Sequence, residues 1–240
     1  MLSGILSPAF LQAAGNRRKI DDGITLYSAT ADPSISSISC EGEITVTTTK
    51  NGAPIVQTYS DLDGYSLSIQ ADPKTKISIT GKITGECKIG NNTSYTKIYI
   101  KNTALTSLSC NDCYALQELN LSTNTALTSL SCNNCNALQE LNLSTNTALT
   151  SLSCDSCNAL QELNLSTNTA LTSLNCNDCK RLISISYPAT NSSVSTKIAG
   201  AITAADSTVG TVYTDSAAAY YNTIATAATT KGWTIAQIAA

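Results

Sequence analysis

The string Thr103–Asn124 (TALTSLSCNDCYALQELNLSTN) recurs almost unchanged as Thr125–Asn146 and Thr147–Asn168 and starts again at Thr169. So short a period allows few folds, because one unit cannot complete a core alone and must take its interior from its neighbours. Each unit divides into halves of 11: Leu105, Leu108, Cys110 and Cys113, then Leu116, Leu119, Leu121 and Asn124. Both spell LxxLxLxxN, with cysteine admitted in the last two slots. Residues two apart on a strand share a face, so each L-x-L sends two side chains inward, and the preceding leucine enters from the turn. One coil then buries roughly six to eight apolar side chains, worth on the order of 10 to 20 kcal/mol. Ordering its backbone costs about 1 to 2 kcal/mol per residue. A lone coil does not fold, and stacking in register supplies both the missing core and the coil-to-coil hydrogen bonds.

The inward pair can be followed beyond the clean repeats. Backwards from Leu108/Cys110 it appears as Ile98/Ile100, Cys87/Ile89 and Ile77/Ile79, at steps of 10, 11 and 10; forwards, Leu174/Cys176 is followed by Ile185/Tyr187. The expected solenoid covers 74–187. Asn124, Asn146 and Asn168 are expected to turn their amides inward and satisfy backbone groups at the bends. The strings LTSLSCNDC and LQELNLSTN resemble the short nested leucine-rich repeats of surface proteins of gut bacteria and of their phages. That resemblance implies a mainly β, right-handed, leucine-rich-repeat-like solenoid. The extra residue over the family's more usual 21 is expected to be absorbed in a turn.

The flanks read differently. Residues 24–73 alternate as strands do, and EITVTTTK and APIVQTYS are separated by Asn51-Gly52, a two-residue hairpin signal. A β-rich N-terminal domain or cap over the open end of the stack is expected there. Over 188–240, Val194, Ile198 and Ile202 are spaced for one helical face and TVYT at 211–214 for a strand. A second helix is expected after Asp215-Ser216, with Tyr220, Ile224 and Ala228 inward and Lys231-Gly232 closing it; a last strand starts at Trp233. The order β-α-β-α-β gives parallel strands with helices outside them, a C-terminal cap. This tail also looks like those of repeat surface proteins.

Composition narrows function. The 240 residues include no histidine, so Ser-His-Asp and Cys-His nucleophile systems and HExxH zinc sites are excluded. With 14 basic against 17 acidic residues the net charge is −3, which argues against a nucleic-acid partner. No apolar run is long enough for a membrane-spanning helix. The arm 1–23 carries Leu2, Ile5, Leu6, Phe10 and Leu11 but no basic residues ahead of them; Arg17, Arg18 and Lys19 come after, unlike a secretory signal. Two readings stay open for it: folding back on its own domain, or anchoring the chain in a partner.

Four Cys-x-x-Cys pairs, Cys110/Cys113, Cys132/Cys135, Cys154/Cys157 and Cys176/Cys179, would signal zinc out of context. Within the repeat, the first cysteine holds the slot of Leu121, Leu143 and Leu165, and the second replaces the bend asparagine. Structural buried thiols, no cofactor and no metal are expected, and reduced thiols fit assembly in a reducing compartment. Glu118, Glu140 and Glu162 form a stripe with Asn120, Asn142 and Asn164 beside it. It reads as a solvated face resisting aggregation, with a glycan or cation contact surface as the sharper alternative. Asp61-Leu62-Asp63-Gly64 begins like a calcium loop but lacks its later glutamate and reads as a turn. No pair of titratable groups is placed for catalysis. The chain reads as a non-enzymatic structural or recognition protein. Two settings are open: a phage capsid decoration or head-fibre protein, held to a capsid or other virion protein by its arm and offering its solenoid to a bacterial surface glycan or protein, and a secreted bacterial adhesin for a host protein or glycan. A homo-oligomer is compatible with either.

Overall fold

The computed structural model describes residues 23–28, 34–63, 65–69, 76–89, 95–101, 104–187, 192–206, 210–214 and 221–237. The fold is mainly β. Six strands precede the repeats: β1 (Gly23–Ser28), β2 (Ser34–Lys50), β3 (Ala53–Ser60), β4 (Tyr65–Ser68), β5 (Lys76–Lys88) and β6 (Tyr95–Lys101). The hairpin at Asn51-Gly52 joins β2 to β3, with Lys50 facing Ala53. Both turn residues have positive φ, 53° and 74°, the backbone that a right-twisted two-residue hairpin requires. Asp61, also at positive φ, leads the chain out of β3.

The long strand β5 has two roles. On one edge β2 runs antiparallel along both halves, from Lys88 to Ser78; on the other edge Lys76–Thr80 pairs antiparallel with β1, whereas Gly85–Lys88 pairs in parallel with the first repeat strand. Gly81 lies between these halves at φ 132°, and a Cβ there would sit 2.6 Å from the carbonyl oxygen of Glu43. Only glycine combines that backbone with so close a neighbour. Ile77 and Ile79 therefore face Leu26 and Ile24 of β1 in antiparallel pairing, and the parallel ladder begins at Gly85, not near residue 74. Alternating apolar residues look the same in either pairing direction, which is why the inward pair could be traced too far back.

The repeat strands are β7 (Leu105–Ser109), β8 (Glu118–Asn120), β9 (Ser129–Ser131), β10 (Ser151–Ser153), β11 (Glu162–Asn164), β12 (Ser173–Asn175) and β13 (Ser184–Ser186). Strands one repeat apart pair in parallel, placing Leu108, Leu130, Leu152 and Leu174 in one row. The other half-repeat makes a second row, in which Ile98 meets Leu119 and Leu163 meets Ile185. At the N-terminal end β1 lies antiparallel between β5 and β6 and so joins the first row to β6 and β8 in one curled sheet, while β11 and β13 belong to a separate four-stranded sheet. One continuous cluster of buried apolar side chains runs from Ile24 to Trp233.

The two rows end differently. The second continues through β13 into β14 (Thr211–Thr214) and β15 (Thr234–Gln237), all parallel. The first ends at β12, where α1 (Ser192–Ala204) packs alongside. Thr196, one repeat length on from Leu174, lies in that helix. A helix in the place of the next strand offers no free ladder edge, so pairing stops. Val194, Ile198 and Ile202 form its buried face, and α2 (Tyr221–Lys231) packs on α1 with Ile224 and Ala228 inward. Tyr220 and the Asp215-Ser216 start lie outside the described residues, as does the arm with Leu2, Ile5, Leu6, Phe10 and Leu11. No helix among the described residues is long and apolar enough to cross a membrane.

Candidate functional site

Each Cys-x-x-Cys frames a tight bend. The residue before the second cysteine is Asp112, Asn134, Ser156 or Asp178, with φ between 52° and 59°. Asn and Asp tolerate this left-handed conformation better than other side chains, so three of the four bends use them. The bend turns the second thiol inward, where Cys135, Cys157 and Cys179 donate to the carbonyl oxygens of Cys110, Cys132 and Cys154 at 3.2, 3.1 and 3.2 Å. On the opposite side Asn146 donates to the carbonyls of Leu121 and Asn124 at 3.2 and 2.8 Å. Asn168 repeats this on Leu143 and Asn146 at 3.1 and 2.9 Å. Both residue types reach 25 residues back, so the cysteine acts as an asparagine with one donor. This gives the slot equivalence read in the sequence a physical meaning.

The first thiol of three of the pairs is held protonated, whereas the hydrogen bond from the Cys154 thiol holds Cys179 below the usual thiol range. Cys110, Cys132 and Cys154 sit well above the usual thiol range, because each is hydrogen-bonded to the thiol of Cys135, Cys157 or Cys179 and because all are buried. Burial, with the Glu86 carboxylate adding to it, pushes Cys87 up to about 12. Nucleophilic attack and metal ligation both require the thiolate. Among the described residues no cluster of three or more candidate ligands is arranged to hold a metal ion. The nine cysteines whose side chains are described are all buried and free. An aromatic disulfide reagent at pH 8 is therefore expected to titrate at most one thiol in the native protein, against all 10 in denaturant. Rapid native reaction of four or more would show that the thiol column is open to solvent.

Two further polar ladders were not anticipated. Thr128, Thr150 and Thr172 each donate their hydroxyl to the carbonyl of the threonine one repeat earlier, at 3.0 to 3.2 Å. Asn111 Oδ1 accepts from the Ser131 hydroxyl and the Asn133 amide at 2.7 and 2.9 Å, and Asn133 does the same for Ser153 and Asp155. The signal was present as polar identity at the period of the repeat, but a short polar side chain in a turn reads as solvated until its partner is placed.

The six residues of the candidate ligand face, Glu118, Asn120, Glu140, Asn142, Glu162 and Asn164, do lie together. Asn120, Asn142 and Asn164 each accept, through Oδ1, the amide and hydroxyl of the serine two residues on, at 3.1 and 2.8 Å. Glu118 is further tied to Lys97 at 3.0 Å. Hydrogen bonds from Tyr99 first and Lys97 second hold its carboxyl below the usual carboxylate range. The Tyr99 ring is itself steadied edge-on by Tyr27, 6.0 Å between centroids.

This face is looser than its opposite. Thr128, Thr150 and Thr172 bond backbone to backbone with the previous repeat at 2.8 to 2.9 Å. Residues 118–120 pair with β6 and 162–164 with β13, but among the described residues neither pairs with 140–142 between them; one long bond, Gln161 N–H to Gln139 O at 3.4 Å, adjoins the gap. Like carboxylates at one position of successive repeats do not favour pairing there, whereas the threonine hydroxyls tie the repeats on the far side. Two adjoining clefts lie on this face. One, of about 460 Å³, is lined by Lys97, Gln117, Glu118, Asn120, Gln139 and Glu140. The other, of about 330 Å³, is lined by Glu140, Asn142, Ser144, Glu162 and Asn164. Open on one side and lined by carboxylate and amide side chains, they offer hydrogen bonding to a polar surface. Comparison of the chain with protein-family models, with curated proteins and with solved structures finds no match in any of the three.

Proposed function

We propose that this is a non-enzymatic structural and recognition protein whose coils stack as a right-handed, leucine-rich-repeat-like solenoid. On this reading the β1–β4 region closes one end and the α/β segment after β13 closes the other. The observation that carries it is the engagement of recurring polar groups in holding coil to coil: the buried asparagine amides, the thiols and the threonine hydroxyls all bond to the preceding coil. Groups locked in that way make a stiff rod and are withdrawn from chemistry.

The setting that best accommodates such a rod is the surface of a phage virion, as a capsid decoration or head-fibre protein. The apolar residues of the arm, Leu2, Ile5, Leu6, Phe10 and Leu11, would seat in a capsid or other virion protein, and the rod would present its low-charge surface outward. Buried free thiols favour folding in a reducing cytoplasm before release. A secreted or cell-surface bacterial adhesin is the second reading, favoured by the two clefts on the Glu–Asn face, which offer a glycan or protein repeated hydrogen-bonding positions. Deleting Met1–Gly15 is expected to abolish co-purification with particles while leaving the thermal unfolding of the repeats unchanged. Undiminished co-purification would overturn the anchor. Recovery of the protein from particle-free medium with a shortened N-terminus would establish the adhesin instead.

A further inference from the structure

Among the described residues strand β3 is a sheet edge. It pairs with β2 and with no other described strand, and its eight residues, APIVQTYS, carry no charge. Long edges normally carry lysine, a bulge or a covering loop, because a free row of N–H and C=O groups templates pairing with another chain. From the two-residue turn, Ala53, Ile55, Gln57 and Tyr59 exchange their hydrogen bonds with β2, so Val56, Thr58 and Ser60 aim theirs outward. Pro54 falls on the outward set, where its missing N–H breaks no bond to β2. Val56 is 62% exposed, the most exposed of the large apolar side chains described. On the inward face, Gln57 Oε1 is buried and has no hydrogen-bond partner among the described residues.

We infer that β3 pairs antiparallel with β3 of a second copy of this chain, about a two-fold axis at Gln57. In that register Val56 faces Thr58 of the other copy and each pair exchanges two backbone bonds. Ser60 N–H donates to Pro54 O of the other copy. Shifting the axis to Val56 forfeits part of this ladder, since Pro54 has no N–H to return. Shifting it to Thr58 separates the two glutamines. At Gln57 the two side chains lie opposite each other as a close cross-strand pair, and because Oε1 makes no hydrogen bond in its buried position, turning it toward the other copy, whose amide then donates to it, forfeits none. An uncharged strand meets its own copy without repulsion, and the contact closes as a symmetric dimer without propagating. A second copy is therefore the occupant that fits this edge.

The test uses the full chain. Sedimentation velocity between 1 and 100 µM, as an order-of-magnitude window for edge pairing, is expected to show a monomer–dimer equilibrium. Thr58→Pro removes an outward N–H that β2 does not use, and is expected to weaken the dimer about 30-fold with an unchanged melting temperature. Gln57→Cys is expected to give a disulfide-linked dimer under mild oxidation, read on a non-reducing gel. A chain monomeric throughout overturns the inference. So does a dimer that Thr58→Pro leaves intact and Gln57→Cys fails to cross-link, because its contact lies elsewhere.

Discussion

Replacing Asn146 with leucine is expected to destabilise the protein by about 2 to 4 kcal/mol, although leucine branches at the same carbon as asparagine and is more apolar. Asn146 is fully buried, and its amide bonds to two carbonyls of the preceding coil, Leu121 and Asn124. Its own carbonyl receives Asn168 in turn. Leucine removes both donated bonds in a dry interior, where each counts for more than at the surface. Cysteine at the same place should behave differently: Cys135 shows that a thiol in the corresponding slot still reaches a carbonyl 25 residues back. Asn146→Cys is therefore expected to lose less than half as much as Asn146→Leu, measured as the shift in urea midpoint at constant m-value. Equal losses would mean that the slot selects for size and not for a donor.

Removing Leu127–Leu130 is expected to have the larger effect, on the order of 5 to 10 kcal/mol, comparable with the whole stability of a domain. The deletion takes away two buried leucines and most of β9, the strand that bridges β7 and β10. It also leaves one coil shorter than its neighbours, so Cys132 and Cys135 cannot remain over Cys110 and Cys113. Loss of the cooperative transition in circular dichroism is the expected result. Retention would show that coils accept any length.

Much of this was legible because a repeat multiplies weak signals. One L-x-L is ambiguous between strand, helix and turn, but four at a fixed period define a row, and Leu108, Leu130, Leu152 and Leu174 occupy one. The equivalence of the second cysteine with asparagine was visible as a substitution between half-repeats, and the thiol-to-carbonyl bond is its physical content. Pairing direction was not legible. Ile77 and Ile79 have the alternation of a coil, and only Gly81 with β1 across the end decides that they run antiparallel. The clefts were also hidden: Glu118, Glu140 and Glu162 could be seen as a stripe, but that 140–142 stays unpaired between two paired strands shows only once the strands are placed. The β3 edge was read as one arm of a hairpin, because sequence shows where a strand turns and not which of its sides lies at the edge of the sheet.

The dependence of every coil on the one before it is tested most directly by excising Thr125–Asn146 as a whole and recording thermal unfolding. Leu108 then meets Leu152, Asn124 meets Asn168 and Cys110 meets Cys154, each a contact of the same kind as the one removed. The shortened chain is expected to keep strand-rich circular dichroism and a single cooperative transition. An unfolded product, or one no better ordered than the chain lacking Leu127–Leu130, would contradict the stacked-coil account.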